Sequence, residues 1–280
     1  MENQIQNNSL HGQDYYMLLG FHRDPFSPSP DPDNFIATGQ QQEALDRLEV
    51  AIRHRDGLGV VSGDVGTGKT TMSRILHSDM DQDRFISAIL LDPMFNSEFQ
   101  FLKKICSLFD MPQSDTIQYE QDCLNVIKSY LIEMNRNDKV ITLIIDEGQD
   151  LKAKILRRIG YILNFELKVK LINVIIFAQL EFLEKVKRHE RFRNRIETKY
   201  YLNSFSKTDA LKIIRERILI SGGDPDLFTQ EALDLIVNHT DIPRSIIQLC
   251  RNALREMLLL EKKQVDGVII ERAIELSERF

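Results

Sequence analysis

The chain has 280 residues, 42% hydrophobic and 28% charged, with a formal net charge of −6. That composition suits a soluble globular protein of one large or two small domains, and the acidic balance speaks against a dedicated nucleic-acid binder. No apolar run nears the roughly 18 residues of a membrane span. Residues 1–13 lack the basic and apolar regions of a signal peptide. Cys106, Cys123 and Cys250 lie far apart, without metal-ligand spacing, so buried reduced thiols and a cytoplasmic location are expected.

Residues 14–38 contain Asp24-Pro25-Phe26-Ser27-Pro28-Ser29-Pro30-Asp31-Pro32. Prolines this dense forbid helix and central strand and predict an extended arm, with Phe21, Phe26 and Phe35 as anchors. Thr38-Gly39-Gln40-Gln41-Gln42-Glu43 then leads into a helix carrying Ala44, Leu45, Leu48 and Ala51. Residues 58–62 form a short apolar run of the kind found in buried strands.

After that strand comes Gly63-Asp64-Val65-Gly66-Thr67-Gly68-Lys69-Thr70, which matches the phosphate-binding pattern G-x-x-x-x-G-K-[ST]. Glycines let the backbone turn its N–H groups toward phosphate oxygens. Lys69 is placed for the β- and γ-phosphates, the Thr70 hydroxyl for Mg²⁺, and Thr71 follows in the same cradle. The next helix starts here, with its positive end toward the anion, and Met72, Ile75 and Leu76 give it one apolar face.

Residues 85–91 predict a second strand, and Ser97 caps a helix carrying Phe99, Leu102, Ile105 and Cys106. A helix is expected over about residues 117–134. Val140-Ile141-Thr142-Leu143-Ile144-Ile145 suits a parallel strand buried on both faces. It ends in Asp146-Glu147, where open α/β sheets bind ligands. Asp146 is expected to hold Mg²⁺ and Glu147 to orient and deprotonate the attacking water.

Residues 151–164 read as helix and 169–178 as another strand. The basic segment 185–195 reads as a solvated helix face or a DNA contact. From about 205 the pattern turns helical: Ser206-Lys207-Thr208-Asp209 is a capping-box candidate. Apolar stripes continue over 232–237, 246–260 and 268–276. The predicted fold class is α/β, a P-loop parallel-sheet core at 41–204, preceded by the arm at 1–40 and followed by an all-helical lid at 205–280.

Together these parts resemble the AAA+ ATPases, in particular the general-secretion-pathway A-type branch. The likeness rests on Asp24-Pro25-Phe26, Pro30-Asp31-Pro32 with Phe35, and Glu43-Ala44-Leu45. It continues with Asp146-Glu147-Gly148-Gln149-Asp150-Leu151, Asn164-Phe165-Glu166 and Gln179-Leu180-Glu181. The resemblance implies that Gln179 is the polar sensor of the γ-phosphate, with Asn173 a poorer candidate. Arg193-Asn194-Arg195-Ile196 is similar to the segment that supplies an arginine finger to a neighbouring subunit. Arg195 is favoured over Arg193, and the basic segment then fits a subunit interface better than DNA. Ile242-Pro243-Arg244 makes Arg244 the nucleotide-sensing lid arginine.

Two departures stand out. Asp241 occupies a position where the family usually has Gly, and it is expected either to pair with Arg244 in the empty state or to weaken the response of the lid. Gly148 replaces the family's Ala, a small-for-small change expected to be harmless. Relatives in this branch continue into a membrane span and a peptidoglycan-binding domain, neither of which is expected in these residues. The resemblance implies ATP as substrate, Mg²⁺ as cofactor and a homo-oligomer assembled through the nucleotide site. It also implies a partner protein at the inner membrane, in a secretion, pilus or polysaccharide-export system. A DNA-binding regulator of the transposition target-selection type is the alternative, and a scaffold with little turnover a third.

Overall fold

The computed structural model describes residues 14–29, 35–81, 83–112 and 117–278. The polar terminus 1–13 and the motif Pro30-Asp31-Pro32 lie outside the described residues. The chain forms two compact units, Ala37–Asn203 and Met1–Ile36 with Ser204–Phe280.

The strands are β1 (Leu58–Gly63), β2 (Phe85–Leu90), β3 (Val140–Ile145), β4 (Ile172–Ala178) and β5 (Ile196–Leu202). The helices before β4 are α1 (Tyr15–Leu18), α2 (Gly39–His54), α3 (Lys69–Ser78), α4 (Glu98–Leu108), α5 (Glu120–Arg136) and α6 (Ala153–Ile162). After it come α7 (Glu181–Lys187), α8 (Glu190–Arg193), α9 (Lys207–Ile220), α10 (Gln230–His239), α11 (Pro243–Leu259) and α12 (Gly267–Glu278).

The strands make one parallel sheet in the order β2-β3-β4-β1-β5. Every residue of β1, β3 and β4 is buried, as β-branched apolar runs require when both faces are covered. Alternate residues Val60, Leu143, Val174 and Ile176 join a core with Leu102, Ile105, Ile127 and Leu156 from α4, α5 and α6. α2 and α3 pack on the sheet as well, burying Leu48, Ile52, Met72 and Leu76. Because β3, β4 and β1 run parallel and adjacent, the ends at Ile145, Ala178 and Gly63 open toward one edge. That edge carries the phosphate loop and the acidic pair.

The strand β5 carries no clear strand signal in the sequence. It lies at the sheet edge with only Ile196 and Leu202 buried. The helix expected at 151–164 forms as the slightly shorter α6, and a 3-10 turn at Gly148–Asp150 precedes it.

In the second unit α9 to α12 enclose their own core, which takes in Phe21 and Phe26. The arm is therefore anchored by two of its three aromatics, although α1 gives it a helical turn that an extended arm would not have. Asp24 holds it in place, accepting from Tyr15 Oη at 2.5 Å and from the Phe26 N–H at 3.0 Å. Its second oxygen pairs with Arg251 of α11 at 3.2 Å. Ser206 caps α9 by accepting from the Asp209 N–H at 3.1 Å, but its hydroxyl donates to the Asp209 carboxylate. The full reciprocal capping box is at Thr38 and Gln41, opening α2.

Candidate active site

The loop after β1 needs its glycines: Gly66 and Gly68 have φ of 82° and 90°, a region that L side chains avoid. Gly68 is the N-cap of α3, so the helix begins at Lys69. Lys69 is only 8% exposed. Its Nζ donates to Gly63 O at 2.9 Å, Asp64 O at 2.6 Å and Thr67 Oγ1 at 3.3 Å. Burial pushes this ammonium below the usual lysine range, while the carboxylates of Glu147 and Asp146 oppose the shift. A buried cation facing backbone oxygens and two carboxylates is suited to an anionic ligand. Asp64 and Val65 are exposed at the loop tip, whereas Thr67 is buried and its hydroxyl donates to Asp64 O at 2.9 Å.

Across β4 from the loop, the end of β3 presents Asp146, 3% exposed. Burial raises its carboxyl above the usual range, and a hydrogen bond from the Thr70 hydroxyl holds it down. The structure thus brings Thr70 and Asp146 into contact. A hydroxyl and one carboxylate are hard oxygen donors of the kind Mg²⁺ takes, with the remaining ligands left to phosphate and water. Among the described residues no group of three or more His, Cys, Asp and Glu could hold a metal by itself.

Glu147 follows in the left-handed region, with φ of 53°. Such a backbone is unfavourable for a glutamate and persists where its surroundings enforce it. Those surroundings are Gln149, whose Nε2 donates to Glu147 Oε2 at 2.5 Å, and Gln179, whose Nε2 reaches the same oxygen at 3.5 Å. A Cβ added to Gly148 would lie 2.3 Å from Ile176 Cγ2, so glycine and alanine are not interchangeable here. The expectation of a harmless replacement is corrected: β4 packs too closely on this turn.

Lys69, Thr70, Asp146, Glu147 and Gln179 thus converge on one edge of the sheet. Thr71, next in α3, is half-buried. Asn173 is spent elsewhere, accepting from the Gly57 N–H and donating to Ile52 O. Arg195 lines a cavity of about 530 Å³ with Leu156, Gly160, Tyr161 and Phe192. Its Nη1 donates to Asn164 Oδ1 at 2.7 Å, which gives the Asn164-Phe165-Glu166 landmark a physical task. Arg193 is exposed. In the helical unit Arg244 is exposed in the first turn of α11, and among the described residues no ion pair joins it to Asp241.

Three contributors carry no signal that picks them out of the sequence as site residues. Gln41 of α2 donates from Nε2 to Thr67 O at 2.9 Å, bracing the phosphate loop from behind. Its only trace is the Thr38-x-x-Gln41 spacing of a capping box. Gln149 lies within the acidic landmark but its bridging task depends on the fold. Lys185 of α7 donates to Gln149 O and, at 2.8 Å, to Leu151 O.

A five-stranded parallel sheet in this order, flanked by helices and accompanied by a helical C-terminal unit, is the fold of the P-loop AAA+ ATPases. Residues 52–186 match the family model described as AAA domain. The chain is similar to the AAA domain family over those residues and, along most of its length, to General secretion pathway protein A of Aeromonas hydrophila. The identity to that protein is 28% over 249 residues, covering 86% of this chain and 44% of the relative, so the chain spans under half its length.

Solved structures of the same fold include the Aeropyrum pernix ORC2 protein in ADPNP-ADP complexes. It has a TM-score of 0.66 and 14% identity over 90% of this chain and 71% of that one. Cdc6p from Pyrobaculum aerophilum gives 0.67 and 15%, over 86% and 67%. The Thermotoga maritima RuvB Holliday junction branch migration motor gives 0.60 and 16%, over 90% and 73%. At such identities the likeness is one of fold.

Proposed function

We propose that this chain binds Mg-ATP at the edge of the sheet and hydrolyses it to ADP and phosphate. One observation carries the proposal: a buried lysine in a glycine loop faces a hydroxyl–carboxylate pair and a constrained glutamate across β4. Loop N–H groups and Lys69 hold the phosphates, exchanging the lysine's bonds to Gly63 O and Asp64 O for phosphate oxygens. Thr70 and Asp146 would hold Mg²⁺, which supplies charge neutralisation to the β- and γ-phosphates. Glu147 takes a proton from water as its oxygen attacks the γ-phosphorus, and the bond to the bridging oxygen breaks so that ADP leaves with the electron pair. Gln179 contacts the γ-phosphate or the water, and Arg244 senses the bound nucleotide.

Arg195 from a second copy, with Arg193 the lesser candidate, would place a guanidinium on the transferring phosphoryl group, worth on the order of 10³-fold in rate. The chain then works as a homo-oligomer, and turnover per subunit rises with protein concentration. Its relation to General secretion pathway protein A supports ATP-driven assembly of a cell-envelope system, through a partner at the inner membrane. Titration with a fluorescent ADP analogue tests the binding step: Lys69→Ala should weaken affinity by about tenfold or more. Equal affinity in both proteins would overturn the assignment.

A DNA-binding regulator is the second reading. It is favoured by Arg157, Arg188, Arg191 and Arg193, all exposed in the sheet unit. ATP-dependent DNA binding that weakens steeply with salt would support it, and no binding at low salt would remove it.

A further inference from the structure

Glu147 is held by a side chain with no role in the mechanism above. Gln149 Nε2 donates to Glu147 Oε2 at 2.5 Å, and Gln149 Oε1 accepts from the Gln179 backbone N–H at 3.0 Å. A carboxylate only accepts and a backbone N–H only donates, so the group between them must offer one donor and one acceptor. A glutamine does so with its two ends, and its amide orientation is fixed by its neighbours. The turn under it is fixed as well. Lys185 of α7 donates to the backbone oxygens of Gln149 and Leu151, and Gly148 leaves no room between the turn and Ile176 of β4.

We propose that Gln149 is a positioning residue for hydrolysis, locking the Glu147 carboxylate to the end of β4 so that Glu147 and Gln179 keep one mutual arrangement. This rests on the reading of Glu147 as the water activator. The bond occupies one carboxylate oxygen, Oε2, which Gln179 Nε2 also reaches. Gln149 touches Glu147 and Gln179 rather than the loop that holds the phosphates. Its loss should therefore affect turnover and leave nucleotide affinity alone. Lys185 extends the connection to α7, and through it to the short α8 that carries Arg193.

Three variants of the full chain test the proposal. Gln149→Met keeps the length and loses both polar ends. In it kcat should fall by about tenfold or more, with KM for ATP and affinity for a fluorescent ADP analogue changed by less than about twofold. Gln149→Glu sets two carboxylates against each other and should lower both kcat and the melting temperature. Combining Gln149→Glu with Glu147→Gln restores one donor facing one acceptor, and should recover most of the lost melting temperature without restoring turnover.

A kcat in Gln149→Met within about twofold of the parent would overturn the proposal. So would a double variant no more stable than Gln149→Glu. The melting comparison involves no nucleotide. If the parent protein binds no ATP, the reading of the site fails, and the stability cycle still decides whether Gln149 pairs with Glu147.

Discussion

Gln41 Nε2 donates to Thr67 O at 2.9 Å, tying the helix before β1 to the phosphate loop after it. The other end of the same amide accepts from the Thr38 N–H at 3.0 Å, so one buried side chain closes a capping box and braces the loop. Gln41→Ala leaves both backbone groups without their partner in a buried setting, a loss of about 1–3 kcal/mol. Thermal melting should show that loss, and titration with the ADP analogue should show weaker affinity as the loop loosens. Unchanged values for both would mean the brace is incidental.

Gly148 carries a second expectation. A Cβ there meets Ile176 Cγ2 at 2.3 Å inside the packed sheet, where neither element can withdraw freely. Gly148→Ala should destabilise the chain by about 1–3 kcal/mol, the usual range for overpacking. Turnover should fall as well, because the turn displaced is the one that presents Glu147. Urea denaturation and steady-state kinetics check the two effects separately.

The buried thiols set an alkaline limit. Burial pushes Cys106 from the ordinary 9.0 up to about 12, and raises Cys123 and Cys250 as well. A thiol that ionises more readily unfolded than folded loses its proton first in the unfolded chain. Its stabilising contribution is complete below about pH 9 and declines between 9 and 12. Half-buried Tyr15 is shifted in the same direction and adds to the decline. Melting temperatures across that range should drop, less steeply for Cys106→Ala. At pH 8 a soluble thiol reagent should label the three cysteines only as the chain unfolds.

Most of the sheet and its site is legible in the sequence, for an identifiable reason. The buried strands β1, β3 and β4 are continuous apolar runs, and the phosphate loop has fixed residue types at fixed spacing. β5 is hidden because an edge strand with Glu197, Lys199 and Tyr201 exposed looks like the end of the basic segment before it. The tasks of Gln41, Gln149 and Asn164 are hidden for another reason: their partners lie 26, 30 and 31 residues away. Glutamine and asparagine have no fixed chemistry until the fold assigns a partner. The close packing at Gly148 is of the same kind, since an alanine-sized change is harmless or costly only by the position of Ile176.

Hydrolysis as proposed turns on Glu147 as the residue that activates water. Glu147→Gln preserves the shape of the side chain and removes the base. With Mg-ATP, the variant should bind the nucleotide with affinity within about threefold of the parent and release phosphate at least about a hundredfold more slowly. Phosphate release measured alongside nucleotide binding in the same preparation is the direct test. An undiminished rate would contradict the assignment of Glu147 and the mechanism built on it.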